Sequence, residues 1–429
     1  MKNWIIGILF LLQAGTAIAD DQVLSGVRSQ LQALGASKDS SFCYVVEGGE
    51  VRGINADQPV RIASVMKTMT TFWAIETLGG PNARLTTKVY YRQATGEMHI
   101  AGSNDPFFTR DRFYLLLSDL NRLGIKSVDR LTVDTNFRMN VELFNSPFNH
   151  SEEHADHTLS KMTKEELLEL FNSSNWWGAR AGYYANLRKN SSDPQFVPKL
   201  SFAVSRTNVL DHNPLAGQPG VMTFELKSAP IKTYLKKMNI LSINPVADEL
   251  FFALGGKAGF QKFLSEKYKM ANSADDVETG SGLPVFRAGR DDTSMSCADV
   301  VRVIRRMDLD LEQKYNTDLA DVMMISGVDT EPGATFSDGS QSLIVKTGTL
   351  TANGSVAKNL AGSMKTTEGE VYFGIFMNGR GANSGGVRSV LARLMSKYDK
   401  VAIKRSSFRF DQLDSEMQLR QTAVSMNRG

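Results

Sequence analysis

Three short patterns in the chain hold residue types able to break an acyl bond. Ser64-Val65-Met66-Lys67 is a Ser-x-x-Lys at the start of an apolar run. On a helix this separation puts both side chains on one face and in contact. A serine hydroxyl is a poor nucleophile until a base takes its proton. A lysine does so once burial or a nearby cation weakens its hold on its own proton. Met66, Met69, Phe72 and Trp73 offer that burial. A helix start also brings backbone N–H groups to where an oxyanion develops. Lys346-Thr347-Gly348-Thr349 follows the strand-like Leu343-Ile344-Val345. Its glycine lets a substrate backbone approach the strand edge, and its lysine and two hydroxyls suit a carboxylate. Ser242-Ile243-Asn244 precedes a predicted helix and adds a hydroxyl and an amide.

Singly, these patterns are weak. A second Ser-x-x-Lys, Ser355 to Lys358, falls in an expected hairpin, and Ser-x-Asn recurs at Ser173 and Ser425. The weight lies in the set: a helix-borne Ser-x-x-Lys, then Ser-x-Asn, then a strand-borne Lys-Thr-Gly, in that order. This trio is the signature of penicillin-binding proteins and class A β-lactamases.

The elements that must position these residues are legible. Phe42–Val46 reads as a strand, and Gly48-Gly49 before Val51 and Ile54 as a hairpin turn. The apolar run from Ser64 to Leu78, stopped by Gly79-Gly80-Pro81, predicts a buried helix. Thr86–Tyr91 and Met98–Ala101 predict short strands, Phe113–Leu123 a helix and Leu131–Val133 another strand. Pro245–Leu254 and Ala258–Lys267 read as helices. Ser296–Met307 is amphipathic, with Ser296 as N-cap and Asp299 three residues on. Val371–Met377 is a strand and Gly385–Tyr398 a helix.

With the trio and its context in place, the chain resembles the serine D-Ala-D-Ala carboxypeptidase/endopeptidases, the class C low-molecular-mass penicillin-binding proteins. Asn55-Ala56-Asp57-Gln58-Pro59-Val60 leading into Ala63-Ser64 is similar to that family's approach to its nucleophile. Ala101-Gly102-Ser103-Asn104-Asp105-Pro106 is similar to its Gly-rich Asp-Pro segment, Leu131–Thr135 to the strand after it, and Thr279–Leu283 to its Asp-Gly-Ser-Gly stretch. Thr279 replaces the usual Asp, and Ser103-Asn104 two usual glycines.

The resemblance implies an α/β (α+β) protein: a penicillin-binding/β-lactamase-like transpeptidase domain, an antiparallel sheet flanked by helices, with a smaller inserted domain. It implies a peptidoglycan-modifying serine DD-carboxypeptidase/DD-endopeptidase that needs no cofactor or metal. Ser64 would attack the penultimate D-Ala carbonyl, with Lys67 as general base. Ser242 would relay the proton to the leaving amine, and Asn244 would hold the peptide. Lys346, Thr347 and Thr349, around Gly348, would bind the terminal carboxylate. The N–H groups of Ser64 and Thr349 would form the oxyanion hole. Peptidoglycan stem peptides and cross-links would be substrates, and β-lactams covalent inhibitors.

Residues 1–19 read as a signal peptide: Lys2, an apolar stretch Trp4–Leu12 too short to span a bilayer, and Ala17-Ile18-Ala19 before Asp20. The expectation is export across the inner membrane to the periplasm or beyond, with no membrane anchor on the mature chain. The catalytic domain is expected over 20–80 and 235–405, an insert over 81–234, and a polar surface tail over 406–429. The family's insert usually holds two extra domains. Residues 68 to 241 are too few for both, so one is expected to be missing or reduced, leaving the groove more open.

A net charge of +3 in 429 residues argues against a nucleic-acid partner, and two cysteines exclude a disulfide-rich scaffold. Cys43 and Cys297 are compatible with a bridge or with two buried thiols. His150, His154 and His157, with Glu152, Glu153 and Asp156, have metal-like spacing but read as a polar loop or exposed helix start. Trp176-Trp177 and Tyr183-Tyr184 read as packing within the insert rather than a sugar platform. Two other functions compete with the peptidase. A serine β-lactamase needs a deacylation base, and the nearest stretch, Glu165–Glu169, lacks the Asn of the usual pattern. An inactive wall-binding protein has no need of the intact Ser64, Lys67, Ser242, Asn244, Lys346 and Gly348.

Overall fold

The computed structural model describes residues 22–108, 110–137, 164, 167, 202–270, 276–283, 293–329, 338–352, 355–379, 381–409 and 419–425. The expected signal peptide, the His150–His157 cluster, the aromatic pairs at 176–177 and 183–184, and all of Glu165–Glu169 except Leu167 lie outside them. The chain divides into two compact units.

The first unit takes in the chain up to Ala74, Asn239–Ala247 and Leu254–Phe408. Its main sheet has six strands in the order Met324–Ile325, Leu343–Ala352, Ser355–Thr366, Gly369–Asn378, Ser41–Val46 and Arg52–Ile54, all antiparallel. The expected hairpin is present, with Phe42 opposite Ile54 and Tyr44 opposite Arg52. Val371–Met377 is an unbroken apolar run because both faces of its strand are covered. On one side Tyr372 reaches Asp308 of the Cys297–Tyr315 helix. On the other, Met377 sits against Gly386 of the Ser384–Met395 helix.

The Cys297–Tyr315 helix starts where expected, with the Ser296 hydroxyl accepting from the Asp299 N–H at 3.1 Å. It buries Val300, Val301, Ile304, Met307 and Leu311 along one stripe. Its first residue settles the question of the cysteines. Cys43 and Cys297 form a disulfide, both fully buried, joining the first strand of the sheet to this helix.

The second unit takes in Ile75–Met238, Asp248–Ala253 and the chain from Arg409 onward. Its sheet runs Leu419–Val424, Val221–Lys227, Thr86–Arg92, Glu97–Ala101, Ser127–Asp134 and Ala203–Leu210. The first three pairings are antiparallel and the last two parallel. The Arg110–Arg122 helix supplies the crossover that the first parallel pairing requires. Leu116, Leu117 and Leu120 pack with Val89, Ile100, Leu131 and Phe224 in its core.

One expectation is corrected here. The segment after 406 is not simply a surface tail. Leu419–Val424 is an edge strand paired with Val221–Lys227, and Leu419 enters the core while its N–H donates to Asp119. The segment read as polar because Leu419 is the one buried residue of this strand.

Candidate active site

The Ser64 region is a short turn feeding a helix. Ala63–Val65 is a single 3-10 turn, and Met66–Leu78 continues it. Ala63 sits at φ 48, a left-handed conformation that costs a non-glycine residue about 1–3 kcal/mol and concentrates at functional sites. The helix is apolar almost all round because it is buried all round: Met66, Met69 and Phe72 have no exposure. Phe72 meets Phe263, and Trp73 meets Phe260, both edge or tilted contacts from the Gly256–Tyr268 helix. Two buried threonines of the run find acceptors: Thr70 donates to Gly280 O at 2.8 Å and Thr71 to Lys67 O at 2.8 Å.

Lys67 has no exposed surface. Its Nζ lies 3.0 Å from Ser64 Oγ, 2.5 Å from Asn244 Oδ1 and 3.2 Å from Ser281 O. A neutral amine has two protons and one lone pair, so in this setting it can donate to Asn244 and Ser281 and face the Ser64 hydroxyl with its lone pair.

Ser242 and Asn244 sit in the break between two helices. Ile231–Leu241 ends, Ser242 adopts φ 53, and Asn244–Ala253 begins. The left-handed serine turns the chain back, placing Asn244 on Lys67. The other partner of this turn is Lys346, fully buried on the Leu343–Ala352 strand. Lys346 Nζ donates to Ser242 Oγ at 3.0 Å and to Thr347 O at 3.0 Å. Two residues on, Gly348 brings the strand against the nucleophile turn: an added Cβ would lie 2.9 Å from Ile62 O. Thr347 is half-buried and Thr349 exposed.

Thus Ser64, Lys67 and Asn244 are in direct contact, as are Ser242 and Lys346, and Ile243 ties the two groups. Thr347 and Thr349 share the Lys346 strand without touching the rest through their hydroxyls. All eight residues fall in the first unit. Among the described residues, no group of three His, Cys, Asp or Glu is placed to hold a metal, and no helix is long and apolar enough to cross a membrane.

Two participants have no site role by sequence. The Ser281 carbonyl accepts from Lys67 Nζ, but a main-chain acceptor has no residue-type signature. Its stretch, Thr279–Leu283, was noticed only for its resemblance. Gly282, at φ 78, packs so tightly under Ala63 that an added Cβ would lie 2.0 Å from Ala63 O. Thr279, in place of the usual Asp, holds the loop by donating to Leu283 O and accepting from Gly282 N–H. The second is Lys358, whose Nζ donates to Thr349 Oγ1 at 3.1 Å.

Residues 42–148 and 204–398 match the model of the D-Ala-D-Ala carboxypeptidase 3 (S13) family. No curated protein sequence matches the chain. Among solved structures, Bd3459, a predatory peptidoglycan endopeptidase from Bdellovibrio bacteriovorus, aligns with a TM-score of 0.74 at 26% identity, over 89% of this chain and 98% of that one. Its penicillin G-acylated form, in complex with the immunity protein Bd3460, gives 0.74 at 27% identity, over 89% and 99%. Penicillin-binding protein 4 (dacB) of Haemophilus influenzae aligns at 0.55 and 18% identity, over 87% and 99%. The last shares the fold, a penicillin-binding transpeptidase-like architecture.

Proposed function

The chain belongs to the D-Ala-D-Ala carboxypeptidase 3 (S13) family of serine-type peptidases, and from that premise we propose that it is a DD-carboxypeptidase/DD-endopeptidase of peptidoglycan, working through an acyl-enzyme on Ser64. The observation that carries this reading is the buried Lys67 amine 3.0 Å from Ser64 Oγ. The likeness to an endopeptidase that penicillin G acylates supports it.

In this mechanism the neutral Lys67 amine accepts the Ser64 proton as the hydroxyl adds to the penultimate D-Ala carbonyl. The N–H groups of Ser64 and Thr349 stabilise the oxyanion. Asn244 fixes the Lys67 amine and presents its amide to the peptide. Ser242, held by Lys346, returns a proton to the departing amine. Lys346, Thr347 and Thr349 receive the carboxylate of the leaving residue. Water then hydrolyses the ester. Trimming a terminal D-Ala and cutting a cross-link are one reaction here, because either leaving amine sits on a D-centre that carries a carboxylate.

The buried Cys43–Cys297 disulfide supports an oxidising compartment, consistent with the reading of residues 1–19 as a signal peptide and with action in the periplasm or beyond. The test is incubation with a labelled penicillin and mass mapping of the adduct, together with digestion of dimeric muropeptides. An adduct on Ser64 and release of monomers are expected. An unlabelled Ser64 overturns the mechanism, and release of D-Ala without cleavage of dimers removes the endopeptidase half.

A further inference from the structure

Lys358 lies directly opposite Thr349 across the antiparallel pair Leu343–Ala352 and Ser355–Thr366. Residues so paired project from the same sheet face, and Lys358 Nζ donates to Thr349 Oγ1 at 3.1 Å. A lysine ammonium can only donate. The Thr349 oxygen is therefore the acceptor, and its own proton remains to be given away. Among the described residues that proton has no acceptor, and Lys358 has no carboxylate partner. Thr349 is exposed. The strand thus presents, three residues past the buried Lys346, an outward hydroxyl donor backed by a cation that no acidic side chain of the described chain neutralises.

An exposed pair of this kind offers an anion a cation and a hydroxyl donor side by side. Holding a long lysine side chain in one geometry costs rotamer freedom, and a single hydrogen bond to a neutral hydroxyl is a small return. The missing charge is what a carboxylate supplies. We propose that Lys358 is a positioning residue for the substrate's terminal carboxylate: it fixes the Thr349 hydroxyl as a donor and adds a positive charge on the Thr349 side of the strand. The proposal rests on the peptidase reading above and deepens it. It makes a free carboxylate on the leaving residue a requirement set by two lysines rather than one. Lys358 acts through Thr349, so its loss weakens recognition of the carboxylate and leaves the Ser64–Lys67 chemistry in place.

The test compares a peptide ending in D-Ala-D-Ala with its C-terminal amide, and benzylpenicillin with its methyl ester, on the full chain. In Lys358→Met, KM for the acid peptide is expected to rise about tenfold with kcat nearly unchanged, while the amide is unaffected. The acid-over-amide and acid-over-ester preferences both shrink by that factor. Lys358→Arg keeps most of the preference. Adding Thr349→Val to Lys358→Met costs little more, since the two act as a unit. Equal losses on acid and amide, or an Arg variant as poor as the Met variant, overturn the proposal and leave a structural role. A wild-type protein that labels on Ser64 but whose acid preference survives Lys358→Met sinks this inference alone. One that neither labels nor hydrolyses sinks the peptidase reading with it.

Discussion

The Asn239 amide donates to the Thr71 hydroxyl at 2.9 Å, and Thr71 in turn donates to the carbonyl of Lys67. Asn239 also donates to Val322 O at 2.8 Å and is almost fully buried. It lies near the end of the helix that leads to Ser242. One side chain thus braces the back of the nucleophile helix, one turn beyond the general-base candidate. Asn239→Leu strands a buried carbonyl and is expected to lower stability by about 1–3 kcal/mol. Denaturant melts should show that loss, with Ser64 acylation slowed less than by changes at Lys67. Unchanged stability would show that the brace carries nothing.

Lys67→Met removes the base but keeps an apolar stem of similar reach. Acylation of Ser64 by labelled penicillin is expected to fall by about 10²- to 10⁴-fold. The variant should still melt cooperatively. A variant that retains a rate within fivefold of wild type would assign the base to another group.

Gly282→Ala places a methyl 2.0 Å from Ala63 O, at a φ that alanine resists. The loop must move, and Ser281 O moves with it, away from Lys67. A loss of about 2–4 kcal/mol is expected, together with slower acylation. Calorimetry and adduct formation on the same preparation test both, and wild-type behaviour in either would contradict the packing described.

Asp308 is buried against Tyr372, and burial pushes its carboxyl up to about 7. Glu370, half-buried, is raised in the same direction, chiefly by desolvation. A folded-state value above the unfolded one means that the folded protein binds the extra proton between about pH 4 and pH 7. Stability from this group is therefore complete below about pH 4 and lost as the pH rises through 7. Asp308→Asn removes the dependence. Its melting temperature relative to wild type should climb from pH 5 to pH 8, by the equivalent of a few kcal/mol. A difference that stays flat with pH would place the titration elsewhere.

How much was readable beforehand depends on how far each feature reaches along the chain. Ser64 and Lys67 were legible because helical periodicity alone brings them together. The Ser296 cap and the Phe42–Ile54 hairpin were local in the same way. The set of Ser242, Asn244 and Lys346 was legible only through its order and resemblance, since no periodicity joins residues so far apart. Cys43 was expected in a strand and Cys297 at a helix start, both correctly, yet their bridge needed the fold. The parallel pairings of Glu97–Ala101, Ser127–Asp134 and Ala203–Leu210 have no local signature, because each joins strands through a crossover. Leu419–Val424 was missed because an edge strand with one inward residue is, by composition, a tail. Lys358 reads in the sequence only as part of a second Ser-x-x-Lys. Its register opposite Thr349, and not that spacing, is what makes it interesting.

The Cys43–Cys297 bond closes a ring of chain with a sequence separation of 254 residues. That ring holds Ser64, Lys67, Ser242 and Asn244 as well as the whole Ile75–Met238 segment. The molecule therefore tolerates being cut. A protease that nicks the ring once, at any point, leaves one covalent object, whose fragments separate on a gel only after reduction. A wound in the ring does not detach Ser64 from Lys346.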